Sequence, residues 1–135
     1  MPTRKRRPLV LKPLEEIAAE LGRYPVEAFE FVRHGLQYTA CRVHGDKKPP
    51  AARHVNGRQL CEGLREFALK RWGLLARTVL ARWGITRTED FGRIVFALVE
   101  NGWLAKSEED SIDDFRDVYD FASAFEQGYR IECRT

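Results

Sequence analysis

The sequence predicts a mainly α-helical, compact domain whose second half has winged-helix-like proportions, and three observations carry that prediction. Residues 56–104 hold three successive stretches with apolar residues at helical spacing. The first two end on the same tripeptide, Arg-Trp-Gly, at 71–73 and 82–84, each followed by an apolar residue, Leu74 or Ile85. A glycine there supplies the left-handed residue that stops a helix, and the next apolar side chain is placed to fold back onto the last turn. Strand-like patterning is confined to short pieces after Gly102, at residues 103–106 and 129–133.

Residues 1–12 contain Pro2 and Pro8 with Arg4, Lys5, Arg6, Arg7 and Lys12, which suits an extended basic arm. Residues 13–135 then form a single helical domain, a length that buries a core without staples. Pro13 sits at a first turn, and Leu14, Ile17, Ala18 and Leu21 share one face until Gly22. Pro25 opens a longer helix with Phe29, Val32, Leu36, Ala40 and Val43 on one stripe, widened by Ala28, Phe31 and Gly35. Residues 45–55, with Lys47, Lys48, Pro49 and Pro50, read as an exposed loop.

Asn56 and Gln59 have the spacing of a capping box and start helix 57–72, with Leu60, Leu64, Phe67, Ala68 and Trp72 inward. Helix 75–83 follows, with Leu75, Val79, Leu80 and Trp83 on its apolar stripe. Thr86 with Glu89, or Thr88 alone, caps a third helix whose inward face is Phe91, Ile94, Val95, Leu98 and Val99, ending at Asn101-Gly102. Residues 111–119 look like another capped helix with Phe115, Val118 and Tyr119 inward, placing Asp113, Asp117 and Asp120 on an outward stripe.

Helices 75–83 and 88–101 have the proportions of a helix-turn-helix over residues 75–101, with short strands after Gly102 as a wing. The charges oppose base reading. Glu89, Asp90, Arg93, Ala97 and Glu100 fall on the outward face, and Ser107, Glu108, Glu109 and Asp110 occupy the wing position. Duplex phosphates repel such a surface, because affinity comes chiefly from Lys and Arg.

The charge distribution is polar along the chain. Residues 1–52 hold ten Lys/Arg against six Asp/Glu, residues 53–93 nine against four, and residues 94–135 four against ten. A basic beginning and an acidic end favour a polyanion on one side only. The nucleic-acid candidates are therefore Arg4, Lys5, Arg6 and Arg7, seconded by Lys12, Lys47, Lys48 and Arg53. About four phosphate contacts imply a roughly hundredfold loss of affinity between about 50 and 200 mM salt, the mark of sequence-blind association.

Catalytic and metal chemistry find little support. Cys41, His44, His54 and Cys61 offer four potential ligands around the loop, but their spacing matches no common zinc finger, and small cysteines in apolar stripes are usual core filler. Cys61 lies more than a turn past the helix start, too deep for strong activation with His54 as base. His34 reads as a packing residue within a helix. Ser107, Ser111 and Ser123 lack a nucleophile-elbow context, and the acidic run has no calcium-loop order. Three cysteines, an odd number with no secretory leader before them, point to a reduced, cytoplasmic setting without disulfides. No apolar run approaches the roughly twenty residues of a membrane span.

Arg23-Tyr24-Pro25 with Glu27-Ala28, RHVNGRQLCEGLREFAL (53–69), WGITRTEDFGRIVFALVENG (83–102) and DSIDDFRDVYDF (110–121) stand out together. In these segments the chain resembles a small uncharacterised protein family known mainly from planctomycete and verrucomicrobial bacteria. The resemblance covers roughly residues 14–125 and carries no activity, cofactor or site with it. The arm before Pro8 and the end after Gln127 lie outside it.

The expected function is thus a non-enzymatic cytoplasmic module without cofactor or metal, associating with RNA or DNA backbone, as in a ribosome or nucleoid assembly, through the arm. No membrane partner is expected. The alternative is an adaptor that binds a basic protein through the acidic face 108–120, with Trp103 and Tyr119 as anchors.

Overall fold

The computed structural model describes residues 11–45, 54–104 and 111–125. Five α-helices follow in order: α1 (Leu14–Leu21), α2 (Val26–His44), α3 (Gly57–Trp72), α4 (Ala76–Arg82) and α5 (Thr88–Glu100). Among the described residues there are also two 3-10 turns, Gly73–Leu75 and Ile112–Phe115, and residues 121–125 are again helical. The mainly helical class expected from the spacing holds. Among the described residues the only extended pairing is an isolated bridge at Leu104.

Helices α2 and α3 pack along their length because small residues let them approach. Gly35 lies against Leu64 and Phe67, and Gly63 against Thr39. The Asn56 capping box forms as its spacing demands: the Gln59 amide donates to Asn56 Oδ1 at 2.8 Å, and the Asn56 amide to Gln59 Oε1 at 3.1 Å. Helix α5 runs through the middle, touching α1, α2, α3 and the 112–115 turn. Phe91, Ile94, Val95 and Leu98 bury completely there, beside Leu60, Leu64, Leu80 and Phe29.

The two Arg-Trp-Gly ends behave differently. At Gly84 (φ 85°) the chain closes a tight return: the Ile85 amide donates to the Leu80 carbonyl at 2.9 Å and Ile85 is fully buried. At Gly73 (φ 54°, ψ −127°) the backbone instead runs on into the 3-10 turn. Leu74 and Leu75 are consequently left 66% and 63% exposed, so the expected fold-back of Leu74 and the inward role of Leu75 are corrected.

Helix 111–119 is a second correction. Ser111 starts a turn, with the Asp113 amide on its Oγ and its own amide on Asp114 Oδ2, yet the helix stops after Phe115. The reason is Thr88. Its buried hydroxyl donates to the Phe115 carbonyl at 2.5 Å and accepts from the Val118 amide at 3.2 Å, occupying backbone groups that a continuing helix would have used. Asp117 follows at φ 47°, and Asp113, Asp117 and Asp120 share no helical stripe. Phe115 buries over Gly92 and Gly57, where a Cβ would collide with it or with Asp114.

The cap of α5 also differs from expectation. Neither Thr86 nor Thr88 caps it. Asp90, in the first turn, accepts from the amides of Thr86 (2.9 Å) and Arg87 (3.2 Å) through Oδ2.

Candidate interaction surfaces

Lys12 is fastened to the body at both its backbone and its side chain. The indole N–H of Trp103 donates to the Lys12 carbonyl at 2.9 Å, and the Lys12 ammonium bonds both oxygens of Glu20 at 2.8 and 3.0 Å. The Glu20 hydrogen bond holds the ammonium pKa above its ordinary value. Lys12 is therefore a fastening more than a phosphate contact. Arg4, Lys5, Arg6, Arg7, Lys47, Lys48 and Arg53 lie outside the described residues.

The aromatic anchors proposed for an acidic-face adaptor are engaged internally. Trp103 holds Lys12 and carries the Arg33 guanidinium 4.7 Å above its ring. Tyr119 donates its hydroxyl to the Cys61 carbonyl at 2.7 Å and packs against Phe121 and, edge-on, Phe125. The acidic face is itself mixed in charge: Asp113 pairs with Arg116 at 3.2 Å, and Arg58 lines the same open cleft as Asp113 and Asp114.

Asp90, which helical spacing places outward, is only 3% exposed. Besides its two backbone amides it accepts from the Tyr24 hydroxyl at 2.5 Å and from Arg93 at 2.6 Å. The carboxylate thus closes the α1–α2 connection onto the turn before α5, and its charge is answered inside the fold. Sequence reasoning missed this hub because Tyr24 lies 66 residues away.

A second feature missed is an aromatic ladder on the α2–α3 side. Tyr38, Phe67, Phe31 and Trp72 follow one another at centroid spacings of 5.4, 5.4 and 5.2 Å, and Trp83 meets Trp72 edge-on at 5.5 Å. Cations cover its outer rim: Lys70 lies 5.1 Å from the Tyr38 ring, and Arg71 5.2 Å from Trp72 and 5.6 Å from Phe67. The paired Trp-Gly ends were the legible trace of it.

Cys41, His44, His54 and Cys61 do not gather as ligands. His44 bonds through its Nε2 to the backbone carbonyl of His54, Cys41 is exposed, and Cys61 is fully buried in the core. No group of three His, Cys, Asp or Glu side chains suited to a metal occurs among the described residues. Burial, reinforced by the charge of Glu62, pushes the Cys61 thiol far up, the opposite of what a nucleophile needs.

Cys61, Tyr119 and Tyr24 share one consequence. An ordinary thiol titrates near 9.0 and an ordinary phenol near 10.0, and burial raises all three in the fold, with Asp90 adding to the rise at Tyr24. The unfolded chain ionises first, so this part of the stability is whole below about pH 9 and is lost as pH climbs through the folded values. The melting temperature is expected to stay level from about pH 7 to 8.5, then fall steadily toward about pH 11. A level curve across that whole range would contradict the assignment.

No protein-family model, no curated protein and no solved structure matches this chain.

Proposed function

We propose that the protein is a non-enzymatic module that associates with the phosphate backbone of RNA or DNA, as in a ribosome or nucleoid assembly, through its basic amino-terminal arm. The observation that carries this reading is the fastening of Lys12 between Trp103 and Glu20. Arg4, Lys5, Arg6 and Arg7 precede that root by five to eight positions in the chain. Backbone geometry keeps Arg7 within about 18 Å of Lys12 and Arg4 within about 29 Å.

The body supports sequence-blind contact over base reading. The helix-turn-helix reading of residues 75–101 would need an open recognition helix, but in α5 Glu100 alone is exposed and the other residues are half-buried or buried. A helix so covered cannot enter a major groove. The adaptor reading is the weaker one, since Trp103 and Tyr119 already have internal partners.

Fluorescence anisotropy with a short RNA and a DNA duplex, on the full chain and on a variant lacking residues 1–10, tests the reading. Removal of the arm is expected to weaken binding roughly a hundredfold at about 50 mM salt and to flatten its salt dependence. Equal binding by both forms would overturn it.

A further inference from the structure

The corner between α3 and α4 joins three properties that the nucleic-acid reading does not use. Leu74 and Leu75 are consecutive residues of a three-residue turn, 66% and 63% exposed, whereas most large apolar side chains among the described residues are buried. No carboxylate occurs between Glu66 and Glu89, whereas Lys70, Arg71, Arg77 and Arg82 all lie in that interval and are exposed. Glu66 itself is paired with Arg42 at 2.7 Å. Trp72, which immediately precedes the turn, and Trp83 are half-buried and pack edge to face.

From this combination we infer that the Leu74–Leu75 corner is a peripheral docking tip for an anionic lipid bilayer surface. Aliphatic side chains enter the acyl boundary, the surrounding cations meet headgroup phosphates, and indoles suit the interfacial depth between them. Other occupants fit less well. Nucleic acid stacks on aromatic faces and gives two projecting leucines nothing to bury against. A second copy joined by a two-fold axis would set Lys70, Arg71, Arg77 and Arg82 against their own equivalents, a like-charge contact. Leu74 borders an open cleft together with Arg77, Arg82 and Phe125, so apolar and cationic groups share that face. No helix among the described residues is long and apolar enough to cross a membrane, and surface docking requires none.

Co-sedimentation with vesicles of phosphatidylethanolamine and phosphatidylglycerol, against vesicles of phosphatidylcholine alone, is the direct test. The full chain is expected to prefer the anionic vesicles by at least about tenfold, less so as salt rises. The double variant Leu74→Ser with Leu75→Ser is expected to lose at least about tenfold of that binding while keeping its RNA affinity. Quenching of intrinsic tryptophan fluorescence by brominated lipid in the unaltered protein gives a readout independent of any variant. Absence of preference for anionic vesicles, unchanged binding by the double variant, or absence of quenching would each overturn the proposal. So would a parallel loss of RNA binding in the double variant, or a dimer that the variant dissociates, since these assign the tip to nucleic acid or to a second copy.

Discussion

Replacing Asp90 with alanine is expected to destabilise the fold by about 3–5 kcal/mol, the range for breaking a buried charge pair by removing one partner. The change leaves the amides of Thr86 and Arg87, the Tyr24 hydroxyl and the Arg93 guanidinium without their common acceptor. For a domain of this size the melting temperature should drop by roughly 10–20 °C. Asp90→Asn keeps one oxygen for the backbone amides but turns a donor toward donors, so an intermediate loss of about 2 kcal/mol is expected. Thermal unfolding of both variants by circular dichroism checks the order. An alanine variant melting within about 3 °C of the parent would show that these bonds contribute nothing net.

Gly63→Leu is expected to cost more than about 4 kcal/mol and to leave little folded protein at 37 °C. A Cβ at position 63 overlaps Thr39 Oγ1 and comes within 2.7 Å of Thr39 Cβ and Cγ2. Thr39 cannot turn aside cheaply, because it is 2% exposed and its hydroxyl donates to the Gly35 carbonyl at 2.7 Å. Gly63→Ala gains about 1 kcal/mol of helix propensity, yet the overlap should still make it destabilising by about 1–3 kcal/mol. Adding Thr39→Ala to Gly63→Ala should recover part of the loss, and denaturant titration of the four proteins measures the coupling. Strict additivity would show that the two helices do not meet at this pair.

These two residues also mark what could be read from sequence. Helix α3 was legible to its ends because both signals are local: the Asn56–Gln59 box lies within one turn, and the apolar stripe repeats within the helix. Gly63 and Gly35 carried no such signal, since a close approach depends on the partner helix. Asp90 was assigned to the outward face because helical spacing gives only an angle around the axis, and Tyr24 folds over that angle from another part of the chain. The two Arg-Trp-Gly ends are identical as tripeptides, but the chain enters a 3-10 turn at Gly73 and returns onto the Leu80 carbonyl after Gly84, so one following residue lies in solvent and the other is buried.

The candidate surfaces divide along the same line. Charge segregation is a property of composition and was visible at once. Whether an aromatic residue is free to bind is a property of its neighbours, and Trp103 and Tyr119 both find backbone carbonyls far off in the chain. The exposed leucine pair was hidden because two leucines after a helix read as core in any periodic scheme.

The central position of α5 has a consequence for biosynthesis. Helix α1 rests on α2 and α5, and residue 12 is tied to Trp103, 91 positions later. A chain emerging from the ribosome has no complete seat for its first helix until that tryptophan has left the exit tunnel, so its earliest segment must wait through most of translation.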